Sequence, residues 1–203
     1  MVYIKHLLIT SLLIHGVYCF INPNPFNSVS VGINSSQDFN DLQFRSFYKP
    51  NTGICLDVGF PFHFGYFIGN VNVNIYKKIQ NTFENNQNLE KQNFFAIHPY
   101  IMWGEKFKLT KKIVWFNGVG LGAYIFHYQK NWGQIFTLGP YTETELSLGV
   151  ASLLYYQMKK KYSLIVGIKK HTIFTYHKIS VLSFSVGINK SFTTPDWLEV
   201  MLK

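Results

Sequence analysis

Few residues of this chain could do chemistry. They are the carboxylates Asp57, Glu143 and Glu145, the ammonium of Lys169, the imidazoles His63 and His98, and the thiols Cys19 and Cys55. Asp57 stands between Leu56 and Val58, His63 between Phe62 and Phe64, and Lys169 follows Ile168. Each therefore interrupts an apolar run at every second position. Successive side chains of a strand point to opposite faces, so this parity places the titratable groups together on the inward side of apolar strands. Such groups can relay protons or form pairs. In a low-dielectric interior an unpaired charge carries a penalty of several kcal/mol, so pairing is the expected use. Glu143 and Glu145 are expected to meet Lys169 across neighbouring strands, with Asp57, His63 and His98 completing a satisfied polar network. Two cysteines give neither a disulfide scaffold nor metal-ligand spacing, and no metal or cofactor is expected. Gly118, Gly120 and Gly122 form a formal glycine-rich pattern, but they alternate with Val119 and Leu121 and no Lys-Ser/Thr follows. They read as inward strand glycines rather than a phosphate loop.

The elements that must position these groups are visible in the same alternation. From Ile54 to Ile68 every even position is apolar, and the odd positions are mostly small or polar. The pattern recurs over eight segments, residues 26–34, 52–64, 66–76, 93–103, 113–127, 140–157, 161–170 and 177–192. In the third, Val71, Val73 and Ile75 oppose Asn70, Asn72 and Asn74; in the fifth, Val119, Leu121 and Ala123 oppose the glycines. Pro61 removes a ladder donor and marks an expected bulge. The connections alternate in length: residues 35–51, 77–92, 128–139 and 170–176 are long, and the links near Gly65, at 104–112 and at 158–160 are shorter. Long loops on one side and short turns on the other are the habit of barrels that cross a membrane, with residues 80–93 an external loop.

The first residues read as a leader. Lys5 supplies a positive start, and residues 6–18 supply an apolar stretch shorter than the about 20 residues a spanning helix needs. Residues 1–19 are expected to be an export signal, residues 20–192 the barrel and residues 193–203 a C-terminal tail. Hydrophobic residues make up 47% of the chain and aromatics 18%, yet mean hydropathy is only +0.04, as strands with unlike faces require. Abundant aromatics fit girdles at a membrane interface. The net charge of +9 favours anionic lipid headgroups or lipopolysaccharide. No nucleic-acid-binding signature accompanies it, so nucleic acid is not an expected partner.

A soluble lipocalin-like carrier is the structural rival. If the apolar faces pointed inward, the exterior would be rows of Gly, Ser and Asn with almost none of the charge that keeps β-surfaces soluble. The apolar faces are therefore expected to point outward, into lipid. The fold class is all-β: an antiparallel, up-and-down transmembrane β-barrel of about eight strands. Such a barrel has an interior that side chains fill.

The leader, the hairpin series and the last segment SVLSFSVGINKSF, residues 180–192, resemble the small eight-stranded outer-membrane proteins of Gram-negative bacteria, the OmpA-like and OmpX-like group. The resemblance spans residues 26–192 and is one of pattern. It implies an outer-membrane location reached by export, contact with outer-membrane lipid or lipopolysaccharide, and external loops that meet a host or environmental ligand. The implied role is membrane integrity or adhesion, without catalysis. In that group the chain usually stops at the terminal Phe, whereas residues 193–203 follow Phe192 here. The different-class alternative is a lipid A-modifying barrel enzyme. Deacylases of that kind carry a His-x-Ser spacing, and none of the seven histidines has Ser two positions later.

Overall fold

Strands form wherever the alternation runs, because extended backbone is the only conformation that sends every second side chain to the same face. The computed structural model describes residues 26–40, 48–50, 52–78, 94–127, 142–159, 161–175, 178–197 and 200. Its strands are β1 (Ser28–Asn40), β2 (Tyr48–Pro50), β3 (Thr52–Pro61), β4 (Tyr66–Lys78), β5 (Phe94–Lys108), β6 (Ile113–His127), β7 (Thr142–Lys159), β8 (Tyr162–Ile173) and β9 (Ile179–Thr193). β1 pairs with both β3 and β9, β4 with β3 and β5, and the remaining strands pair in chain order, all antiparallel. Eight strands thus close on themselves, and the three-residue β2 adds a short flap along the end of β4. Closure leaves no unpaired edge within the ring, which a barrel needs where no water can satisfy the backbone. Among the described residues no helix is long and apolar enough to cross a membrane, a statement that says nothing about strands.

All eight expected segments are strands, with differences at their ends. β1 continues to Asn40, six residues beyond the expected stop at Asn34. Ser36 and Asp38 keep the inward parity there, while Ser35 and Gln37 on the other face are polar and hid the alternation. β5 likewise runs to Lys108, leaving residues 109–112 as a tight turn closed by Leu109 N–H to the Ile113 carbonyl at 3.0 Å. Pro61 ends β3 in unbroken register with Tyr66; the register shift falls at Gln157/Lys159 instead. The turn between β3 and β4 has Phe62 N–H donating to Gly65 O at 3.0 Å, and Gly65 takes φ +82°. A Cβ there would also lie 2.5 Å from the Gly104 carbonyl, so only glycine fits. The expected export signal and the external loops at 80–93 and 128–139 lie outside the described residues. Of the expected tail, Thr194 is anchored, its N–H bonded to Asn27 O at 3.2 Å and its hydroxyl donating to Phe26 O.

The two faces of the ring are unlike. Ile54, Ile101, Val119, Leu121 and Val150 point outward and are 61, 61, 56, 54 and 56% exposed. Their neighbours Cys55, Met102, Gly120 and Ala151 are buried inside. An unbroken outward band of this kind is stable only when lipid covers it. The chain is a transmembrane-type barrel of eight strands with its small and polar residues inside.

Candidate functional site in the barrel lumen

The lumen is layered. Toward the short turns, Tyr66, Ile68, Tyr100, Met102, Phe116, Leu153, Tyr155 and Ile165 pack as one apolar cluster. Toward the long loops, Tyr76, Ala96, Tyr124, Phe126, Ile173 and Val181 form a second. Between and beside them sits a buried polar set built by inward positions of β1, β3, β4, β5, β7, β8 and β9. β4 and β8 carry this order along their own inward faces, Tyr66 and Ile68 then Asn70, Asn72 and Asn74 then Tyr76 on β4, and Ile165 then Lys169 and His171 then Ile173 on β8, while β1 supplies only small and polar inward residues.

Asp57 is one centre. Its carboxylate accepts from the side-chain amides of Asn34 and Asn70, and Cys55 Sγ lies 3.5 Å away. Asp38 is the other. It accepts from Tyr76 Oη at 2.8 Å, Ser183 Oγ at 2.6 Å and the amide of Asn74. Ser36 Oγ donates to Asn72 Oδ1 at 2.9 Å and ties β1 to β4 between the two centres. Lys169 donates to the Tyr100 hydroxyl and reaches Cys55 Sγ at 3.7 Å. His98 Nε2 meets Ser147 Oγ at 2.8 Å; the imidazole stacks on the Tyr100 and Tyr124 rings at centroid distances of 4.5 and 4.0 Å and meets the His171 ring nearly perpendicularly, centroids 4.6 Å apart. Charge-assisted bonds of this sort offset the desolvation of buried carboxylates.

The expected residues divide accordingly. Asp57, His98 and Lys169 are buried in the lumen. His63 is exposed in the turn between β3 and β4, where the alternation has ended and its parity no longer means inward. The expected Glu143/Glu145 to Lys169 network is not formed. Lys169 stands opposite Ala151 on β7, whereas Glu145 stands opposite Tyr124 on β6, six positions further along. At the rise of an extended strand that is about 20 Å. Glu143 is exposed and Glu145 half-buried near the long-loop end of β7. Strand adjacency was readable from chain order; the register that decides which residues meet was not. Asp38, His171 and Ser147 are the members that sequence reasoning missed. Asp38 and His171 fell in segments read as loops, and the parity of Asn34 and Ser36 continuing to Asp38 was the available signal.

At the short-turn mouth a cavity of about 370 Å³ is lined by Ser28, Ser30, Tyr66, Glu105, Lys106 and Ser191 among others. The Lys106 ammonium lies 3.3 Å above the Tyr66 ring and 4.7 Å from that of Tyr155, a cation–π arrangement at the base of the mouth. None of the mid-lumen polar residues lines this cavity. Among the described residues no group of three His, Cys, Asp or Glu side chains is placed to hold a metal ion.

A closed ring, a lipid-type exterior and a packed interior define an eight-stranded transmembrane barrel, the architecture of the small outer-membrane barrels. No protein-family model matches the chain, and no curated protein matches it. Among solved structures it is similar to the Neisserial surface protein A, with 13% identity, a TM-score of 0.49, and coverage of 81% of this chain and 96% of that one. It is also similar to a major outer membrane protein of Thermus thermophilus (10%, 0.49, 81% and 99%) and to the attachment invasion locus protein of Yersinia pestis in complex with the heparin analogue sucrose octasulfate (16%, 0.44, 81% and 97%).

Proposed function

We propose that the protein is an exported, non-catalytic outer-membrane barrel that sits in contact with lipid and lipopolysaccharide and offers its long loops to a host or environmental ligand, in a membrane-integrity or adhesion role. The observation that carries this reading is the pairing of a lipid-type exterior with a lumen filled by side chains. Among the described residues side chains fill the lumen, so this reading gives the working surface to the loops and the membrane contact. The test is fractionation of cells that make the chain. Recovery with outer membranes only after detergent, together with gel mobility that changes on heating, is the expected result; recovery in a soluble fraction overturns the reading. Cells with and without the protein are then compared for dye permeability and for binding to host-type surfaces.

The lipid A-modifying alternative has one observation in its favour, the His98–Ser147 hydrogen bond. A serine beside an imidazole is the arrangement of an activated nucleophile. Against it, both side chains are 1% exposed inside the ring. Lipid A acyl patterns measured with the unmodified chain and with Ser147→Ala separate the two readings, since an enzyme changes the pattern and Ser147→Ala abolishes the change.

A further inference from the structure

We propose that the short-turn end of the barrel carries a one-sided docking surface for anionic phospholipid headgroups, formed by Lys108, Lys111, Lys112, Lys159 and Lys161. It rests on the membrane reading above. All five lysines are exposed. They are also contiguous in the backbone: Gln157 N–H donates to Lys112 O at 2.7 Å, Lys159 stands opposite Tyr162, and Ser191 N–H donates to Lys161 O at 2.8 Å. The arc ends at Lys190, whose ammonium lies 5.3 Å from the Tyr162 ring and 5.0 Å from that of Phe192.

Within its own strands the only carboxylate at this end among the described residues is Glu105 on β5, which is half-buried and lines the mouth cavity. The sequence holds no Asp or Glu between Glu105 and Glu143, nor between Glu145 and Asp196, and Glu143 and Glu145 lie at the opposite end of β7. Nor is it a uniform collar. No Lys or Arg occurs between Phe26 and Phe44 or between Pro50 and Tyr76, so the short-turn ends of β1, β3 and β4 carry none. That side presents Phe26, Phe60, Phe62 and Phe67 in mutual ring contact instead.

Depth selects a lipid headgroup as the occupant. Val119 and Leu121 mark the middle of β6, and Trp115 lies four residues from Val119 toward the short turn. That is about 13 Å along the strand, near the edge of an apolar band about 25 Å tall. Trp115, Tyr156, Tyr162 and Phe192 are all exposed at this end. They supply an interfacial girdle, with the lysines of the turns just beyond it at the level of phosphodiesters.

The experiment uses the full chain folded into phosphatidylcholine vesicles containing a quarter phosphatidylglycerol, followed by delipidation and native mass spectrometry of retained lipid. Expected are enrichment of phosphatidylglycerol over phosphatidylcholine and its loss in high salt. A variant carrying Lys108→Gln, Lys111→Gln, Lys112→Gln, Lys159→Gln and Lys161→Gln retains at least roughly fivefold less. A control carrying Lys49→Gln, Lys77→Gln, Lys170→Gln and Lys178→Gln, exposed lysines elsewhere on the barrel, retains it as the unmodified chain does. Equal retention of both lipids by the unmodified chain, or equal loss in both variants, overturns the proposal. If the five-lysine variant does not fold, the lipid preference and salt response of the unmodified chain decide alone. A failure of the membrane reading looks different: no heat-modifiable band forms in vesicles of any composition.

Discussion

Asp38 is held by three donors from two strands, the side chains of Asn74 and Tyr76 on β4 and of Ser183 on β9, and this is what lets a carboxylate sit at 0% exposure. Replacing the acceptor leaves those donors buried without a partner, a penalty that exceeds the loss of the bonds themselves. Asp38→Ala is expected to destabilise the barrel by about 3 kcal/mol or more and Asp38→Asn by less, read from urea unfolding midpoints in lipid vesicles. Equal midpoints for Asp38→Ala and the unmodified chain would show that the polar layer is not structural. Cys55 gives a second residue-scale test. It is a free thiol, 1% exposed, enclosed by Asn70, Asp57 and Lys169. It is expected to resist a maleimide reagent in the folded barrel and to react fully once the protein is heat-denatured, as mass addition will report.

Within one element, β6 separates three kinds of position. Leu121 is 54% exposed on the outer face, and an arginine there faces hydrocarbon at mid-depth. Leu121→Arg is therefore expected to cost about 2–4 kcal/mol. The inward glycines are not equivalent to one another. A Cβ at Gly120 would meet the flexible Met102 side chain at 3.0 Å, whereas at Gly122 it would fall against the Pro99 carbonyl at 2.5 Å and the Tyr100 backbone at 2.9 Å. Gly120→Ala is accordingly expected to be mild, and Gly122→Ala to impair folding of the β5–β6 pair. Denaturant midpoints of the three variants check the order; Gly122→Ala as stable as Gly120→Ala would contradict the close approach of β5 and β6 at that point.

At the level of the whole molecule, the two apolar layers on either side of the polar set close the ring. Tyr124 and Phe126 at one end and Phe116 and Tyr155 at the other are buried across the lumen. Planar-bilayer recordings of the purified protein are expected to show no stable open state. Lys169→Ala removes the buried ammonium from a layer that also holds Asp38 and Asp57. It is expected to lower stability by about 2 kcal/mol or more without opening a conductance. Large, steady single-channel currents from the unmodified chain would refute the filled lumen.

Period-2 alternation alone was enough to read eight strands, their outward apolar faces and their closure into a narrow barrel. The reason is physical: the pleat ties each residue's face to its parity, and a row of Val, Ile and Leu beside a row of Gly, Ser and Asn leaves one choice of exterior. Asp57, His98 and Lys169 were legible as lumen residues by the same rule. Parity is silent, however, about how far one strand slides along another. Register set Lys169 against Ala151, beside Tyr100 and Cys55, rather than against Glu143 or Glu145. It also brought His98 to Ser147 across 49 residues of chain. His63 shows the limit of the rule itself, since a turn residue obeys no pleat and the side chain is in the open. Which polar groups meet inside the barrel is decided by hydrogen-bond pairing around the closed ring, a property of all eight strands at once that no single segment of sequence contains.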